Sequence, residues 1–205
     1  MGRTEMTAKE QVWRHVLAES RERGRAEFRQ KDVAGELGLS VSTVHAALEV
    51  PRRAGAVEVW GRGFRLVDWR KLLTVWAVFR NLEKDVVWEA RLRYPADRVE
   101  GDMVPQARFS GASAFKFRYG YAPADYDEVL VYLEEEHLPE LEGRFRVHIR
   151  PAGETLLRVL RPDPRLPRRV PPEQVYVDLW QSHPWWTAEF LRYLEEELGK
   201  ERAGR

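Results

Sequence analysis

Gly111-Ala112-Ser113, followed downstream by Asp125-Tyr126-Asp127 and an apolar run, is the constellation in this 205-residue chain with catalytic spacing. Nucleotidyl transfer uses a glycine-serine turn for phosphate and two carboxylates one residue apart for Mg²⁺, because alternate side chains of a strand share a face. The details depart from that chemistry. Ala112 splits the glycine from the serine, Glu128 stands where an apolar residue is expected, and both aspartates precede the run rather than sit in it. Pro123 lies just upstream, so a turn accounts for Asp125 and Asp127. The expectation is no catalytic residue, with a degenerate metal site at Asp125 and Asp127 left open. His15, His45, His137, His148 and His183 are scattered without ligand spacing, and no glycine-rich phosphate loop occurs. No metal and no cofactor are therefore expected.

A second chemistry, polar contact with a nucleic acid, has stronger support. In Gly38-Leu39-Ser40-Val41-Ser42-Thr43-Val44-His45-Ala46-Ala47-Leu48, the glycine allows a sharp turn, Leu39 plugs the junction and Ser40 caps the next helix. Val44, Ala47 and Leu48 then face a core, leaving Ser42, Thr43 and His45 on the opposite face near the helix N-terminus, where a recognition helix meets base edges. Pro51 predicts an end to this helix by Val50, with Arg52 and Arg53 following in a turn. Two alternating runs around Gly61-Arg62-Gly63 predict a hairpin. Arg62 at its tip is placed to enter a minor groove, and Arg65 to reach a phosphate. The candidate DNA-contacting residues are Ser40, Ser42, Thr43, His45, Arg52, Arg53, Arg62 and Arg65.

The elements that must position them read clearly. Thr7 and Glu10 form a capping box for a first helix that carries Val12, Trp13, Val16 and Leu17 and runs to about Arg23, where Gly24 stops it. Glu27 to Arg29 is a short extended piece delivering Phe28 to the core. Lys31 to Leu37 is a second helix, with Val33, Ala34 and Leu37 inward and Gly38 just past its end. Helix, turn, helix and hairpin thus occur in order over residues 7–67. This order resembles prokaryotic winged helix-turn-helix regulators, which implies binding to double-stranded DNA; use of the same motif for protein contact alone is the alternative.

Charge leans the same way. Residues 1–70 hold 13 basic and 10 acidic residues, and residues 71–205 hold 21 and 23. The basic excess thus falls on the first part. No run of 18 apolar residues exists, so no membrane span is expected. The polar N-terminal stretch predicts no secretory leader, and the absence of cysteine fits a reducing cytoplasm.

Beyond the hairpin, Asp68 caps a helix from Trp69 to about Leu82, with Leu72, Leu73, Trp76 and Phe79 on one side. Strands are expected over Asp85–Tyr94, Val129–Leu133, Arg144–Ile149 and Glu154–Leu160. Helices are expected over Pro95–Val104, from Ser110 onward, over Glu134–Leu141, from Pro172 to Trp180 and from Trp186 to Leu198. Arg161 to Pro172 holds five prolines and four arginines and reads as an extended loop. With Arg158 these arginines form a cluster, either solvated or directed at phosphate or an acidic partner. Trp185 and Trp186 cannot both enter one core from a helix start, so one is a candidate contact anchor. The whole is α+β, with a domain over 1–68 and a mixed α/β domain over 69–205.

Phe109-Ser110-Gly111-Ala112-Ser113-Ala114, Val129-Leu130-Val131-Tyr132 and Gln174-Val175-Tyr176-Val177-Asp178-Leu179 occur in that order. Ala188-Glu189 follow in the last helix, while Leu72, Leu73, Trp76 and Ala77 lie behind the hairpin. Together these segments resemble the AbiEi family of antitoxins from abortive-infection systems. The resemblance implies a cytoplasmic repressor of its own operon. Its C-terminal, nucleotidyltransferase-like domain would be non-catalytic and would counteract a nucleotidyltransferase toxin. The implied partners are operator DNA and that toxin, with the protein a monomer or homodimer. The alternatives are a nucleotidyltransferase-like enzyme with a DNA-binding appendage and a non-catalytic protein-interaction module.

Overall fold

The computed structural model describes residues 7–203. The first six residues, where the expected lack of a leader was read, lie outside them. The chain is α+β with two separate sheets, and it divides into two compact units. Met1–Arg80 with Glu195–Arg205 form the first unit, and Asn81–Leu194 form the second. The expected boundary after residue 68 therefore moves to residue 80, and the last residues join the first unit. The helix after Asp68 buries Leu72, Leu73, Trp76 and Ala77, and Glu195 in the closing segment pairs with Arg70 at 2.7 Å.

In the first unit, α1 (Ala8–Arg23) leads through β1 (Glu27–Arg29) to α2 (Gln30–Leu37) and α3 (Val41–Arg53). The hairpin β2 (Val57–Trp60) and β3 (Gly63–Leu66) follows, then α4 (Trp69–Phe79). The three strands form an antiparallel sheet in the order β1-β3-β2. Phe28 stacks on Phe64 across that sheet at 5.2 Å between ring centroids. The capping box at α1 forms as the sequence predicts. Thr7 N and Thr7 Oγ1 donate to Glu10 Oε2, and Glu10 N donates to Thr7 Oγ1. The other oxygen of this buried carboxylate accepts from Trp76 Nε1 at 3.4 Å, so the cap also ties α1 to α4.

Two helices end elsewhere than the sequence predicts. Helix α3 does not stop at Val50 but runs through buried Pro51 to Arg53. A proline lacks the N–H that would bond the carbonyl four residues back. That carbonyl belongs to Ala47, and the buried indole of Trp13 donates to it from Nε1 at 2.8 Å. A side chain from α1 thus supplies the hydrogen bond that Pro51 cannot. Helix α4 ends at Phe79, which is half exposed rather than part of the buried side, and Leu82 belongs to a separate 3₁₀ turn.

The second unit is built on a four-stranded sheet of β4 (Val86–Leu92), β5 (Arg108–Ser110), β6 (Glu128–Tyr132) and β7 (Thr155–Leu160) in the order β4-β7-β6-β5. β6 and β7 are parallel, and the outer pairs are antiparallel. β6 is buried along its whole length. Val129 and Val131 enter one core with residues of α5 (Ala96–Gly101) and α7 (Leu138–Phe145), among them Val99, Leu141 and Phe145. On the opposite face, α6 (Gly111–Tyr119) begins over Leu130. Gly111 has φ of +58° there, and a Cβ would approach the Leu130 Cβ to 3.3 Å. Such a strand needs apolar side chains in succession, as the run Val129-Leu130-Val131 shows.

The strand expected over Arg144–Ile149 is absent. Leu141 and Phe145 are buried four residues apart on α7, and Arg146–His148 continue as a 3₁₀ turn. Val147 is two-thirds exposed, and the segment contributes to the sheet through one bridge, Leu92 to Ile149. Helical spacing of the two large apolar groups overrides any local tendency to extend. Helix α8 (Pro172–Trp180) starts and stops at the expected residues, and α9 (Thr187–Ala203) buries Phe190, Leu194 and Leu198.

Candidate nucleic-acid interface

Helix α3 presents its polar face to solvent because Val44, Ala47, Leu48 and Pro51 take the buried side. Ser42, His45, Glu49 and Arg52 recur at spacings of three and four residues and are exposed, as is Arg53. The serine and threonine hydroxyls gather at the N-terminus of α3. Ser40 Oγ accepts from Thr43 N at 3.0 Å and lies 2.7 Å from Ser42 Oγ and 2.8 Å from Thr43 Oγ1. Both hydroxyls are thus engaged at the cap, but Thr43 is half-buried whereas Ser42 and His45 are exposed. The run to Arg53 places Arg52 and Arg53 on the same rigid element as Ser42, about 15 Å further along its axis. That length is comparable with the ~12 Å width of a DNA major groove.

The hairpin tip is fixed as firmly as the helix. Trp60 pairs with Gly63, leaving Gly61 and Arg62 as a two-residue loop, and Gly61 takes φ of +48°. A positive φ at the first loop position suits the twist of the strands and favours glycine. The Arg62 carbonyl accepts from Gln30 N at 3.0 Å, which ties the tip to the start of α2 while the Arg62 side chain stays exposed. Arg65 is placed differently from Arg62. It pairs with Glu58 across the strands at 2.6 Å, and Glu27 stands opposite it on the other side. Its charge is therefore largely balanced locally.

Two residues of this surface escape a reading by motif. Glu49 puts a carboxylate in the middle of the α3 face. Trp60, about half exposed at the end of β2, lines a cleft with Arg29 and Arg62. The alternation of β2 carries the signal for Trp60, since it shares the outward face with Glu58 and not the inward face of Val57 and Val59. Beside α3, a groove of about 560 Å³ is lined by Lys9, Trp13, Ser42, Thr43 and half-exposed Phe79, among others. Further back, Glu36 faces Arg25 at 3.2 Å and His15 at 2.7 Å. Its slight burial acts to raise its pKa, but the bonds to Arg25 and His15 outweigh this and hold the carboxyl below the ordinary range. Arg25 is thereby committed within the protein.

No family model, curated protein or solved structure matches this chain.

In the second unit, of the residues with catalytic spacing, Asp125 is exposed, Asp127 is engaged by a side chain and Ser113 is buried. Asp127 Oδ1 accepts from Trp186 Nε1 at 2.9 Å, which holds the start of α9 and settles the adjacent tryptophans: Trp186 is buried and Trp185 is 78% exposed. Ser113 is fully buried, so it offers no surface for a phosphate. Among the described residues no three His, Asp or Glu side chains are grouped to hold a metal ion. Lys116 pairs with Asp97 at 2.8 Å and with Glu100, and Tyr126 OH donates to Glu100 Oε1 at 2.5 Å. Burial works against the Lys116 charge, yet these partners push its pKa well above the usual lysine range. Burial and then the Glu100 hydrogen bond raise Tyr126 in turn. Neither group is set to act as a base near neutral pH.

A buried polar cluster joins three elements of the second unit. Ser110 Oγ and Tyr132 OH both donate to Asp178 Oδ2 at 2.7 Å, and Gln174 Nε2 donates to Asp178 Oδ1 at 3.0 Å. All four residues are buried, and together they clamp β5 and β6 to α8. The short segments quoted for the AbiEi resemblance include these four residues.

Proposed function

We propose that the first unit is a winged helix-turn-helix that binds double-stranded DNA, and that the protein is a sequence-specific transcriptional regulator of the AbiEi antitoxin kind. In this reading it represses its own operon and counteracts a nucleotidyltransferase toxin through a non-catalytic second domain. The observation that carries the DNA-binding part is the solvent face of α3. It bears small hydroxyls and His45 at the N-terminal end and two unburied arginines at the other, next to a hairpin with Arg62 at its tip. Ser42 and His45 then meet base edges, Arg52 and Arg53 meet phosphates, and Arg62 enters the flanking minor groove. Glu49 accepts a hydrogen bond from a cytosine amino group, the base donor a carboxylate suits. The engagement of Asp127 by Trp186 and the burial of Ser113 support the non-catalytic reading of the second domain.

The test is a gel shift of the purified protein with its own upstream DNA against random duplex at two salt concentrations. Selective binding that weakens with salt is expected. Arg62→Ala weakens binding to every sequence and lowers the salt slope by about 1, while His45→Ala relaxes one base position. Equal affinity for upstream and random duplex, or no effect of either change, defeats the assignment. Growth rescue from a neighbouring nucleotidyltransferase-like toxin by the second domain tests the antitoxin part separately.

A further inference from the structure

A cleft of about 240 Å³ in the second unit lies between β5, α6, the start of α8 and the proline-rich loop 161–171. Fourteen residues line it; four are arginines, Arg108, Arg118, Arg168 and Arg169, and none is acidic. Phe109 and Phe117 meet edge to face at 4.9 Å along one wall, and Phe117 is about half exposed. The cleft thus joins an aromatic interior to a rim of guanidinium groups.

The arginines of the 158–169 cluster divide sharply here. Arg158 is buried between Glu83 and Glu89, and Arg161 pairs with Glu135. Arg168 is exposed and donates to the Pro105 carbonyl at 3.3 Å, and Arg169 makes no hydrogen bond or ion pair among the described residues. Arg108 is directed by the Leu166 carbonyl and by Glu134, which lies outside the lining. Arg168 and Arg169, neither with a carboxylate partner among the described residues, bring two uncompensated cations to one rim, and a bound anion relieves their mutual repulsion. The planar fork of arginine matches phosphate oxygens in pairs. The walls are held by regular elements, since the buried Ser110–Asp178–Tyr132–Gln174 cluster ties together β5 and α8, which carry Arg108, Phe109 and Val175 of the lining.

We infer that this cleft binds a small anion carrying a planar ring, of the mononucleotide class, with the ring against Phe109 and Phe117 and the phosphate on Arg118, Arg168 and Arg169. A volume of 240 Å³ equals the share of about eight liquid waters, enough for a base with its sugar at the mouth and too small for a folded partner. This site stands apart from the DNA-binding reading of the first unit.

Calorimetric titration of the full chain with each of the common nucleoside monophosphates, the matching nucleosides and inorganic phosphate tests it. At least one monophosphate is expected to bind in the micromolar range, with its nucleoside and phosphate alone each about tenfold weaker or worse. Arg169→Ala raises the monophosphate Kd about tenfold with an unchanged melting temperature, since this side chain is exposed and unpaired. Phe117→Ala weakens nucleotide and nucleoside alike. The inference is overturned if no monophosphate binds at millimolar concentration, or if both variants bind as tightly as the parent protein, which would place the ligand elsewhere. It is equally overturned if a glutamate-rich peptide binds through Arg169 while the nucleotides do not.

Discussion

Helix α3 in the first unit and strand β6 in the second handle polar side chains in opposite ways. On α3 the polar residues Ser42, His45, Arg52 and Arg53 all lie outside, and the buried side is wholly apolar apart from the backbone that Trp13 completes. On β6 the polar residues Glu128 and Tyr132 lie inside, each with a dedicated partner, Ser182 for the first and Asp178 for the second. A polar group in water costs little to leave unpaired, whereas a buried one demands its hydrogen bond. Exposed polar groups on a rigid frame are therefore free to meet a ligand, and buried ones hold the frame. Exposed groups of this kind gather on the face of α3 and at the rim of the arginine-lined cleft, not in the buried Asp178 cluster.

The contrast breaks first at Asp178. Asp178→Ala strands the hydroxyls of Ser110 and Tyr132 in the interior and is expected to destabilise the second unit by about 3 kcal/mol. Chemical denaturation that shows less than about 1 kcal/mol would mean the cluster is not what clamps α8. Next comes Trp13→Phe, which removes the donor to the Ala47 carbonyl and is expected to cost about 2 kcal/mol. Pro51→Ala restores a backbone N–H at that position, so in its background the same change should cost about 1 kcal/mol less. A cycle with no coupling would sever the indole from the proline.

Arg52→Ala combined with Arg53→Ala tests the outward side. Operator affinity should fall about tenfold while stability moves by less than about 0.5 kcal/mol, because neither side chain is buried. A large stability loss with unchanged affinity would reverse the roles assigned to surface and core.

The smallest effect concerns Glu128. Its pKa is raised, by burial first, with the Ser182 hydrogen bond and the charge of Arg158 only partly offsetting this and Asp127 and Glu83 adding to it. A carboxyl whose folded pKa lies above its unfolded value makes no differential contribution at pH below the unfolded value. Its cost then appears as pH rises through the folded one. Glu128→Gln keeps an acceptor for Ser182 and removes the charge, so it should raise the melting temperature slightly at pH 7. That gain should vanish toward about pH 4. A gain independent of pH would assign the effect to packing instead.

Much of the first unit was legible because its signals are local. Thr7, Gly24, Gly38, Ser40 and Gly61 each act on backbone within a few residues, and each does in the structure what its type predicts. The second unit was legible in β4, β6, β7 and α8, where apolar runs and Pro172 mark the elements, but not in the three-residue β5, which carries no such run and was not expected. It failed at Arg144–Ile149, since the choice between helix and strand there depends on where Leu141 and Phe145 find their core.

By itself, the sequence determined the order of elements in the first unit, the α+β class and the set of outward polar residues on α3, because periodicity and capping are properties of neighbouring residues. Tertiary structure alone decided that α3 continues through Pro51, because the missing hydrogen bond is supplied by a tryptophan 34 residues away. It likewise decided that Arg158 is buried while Arg169 is open, and that Arg108, Arg118, Arg168 and Arg169 face one cleft. Composition shows how many charges a segment has, but only the packing of distant elements fixes which of them meet a partner and which are left to attract one.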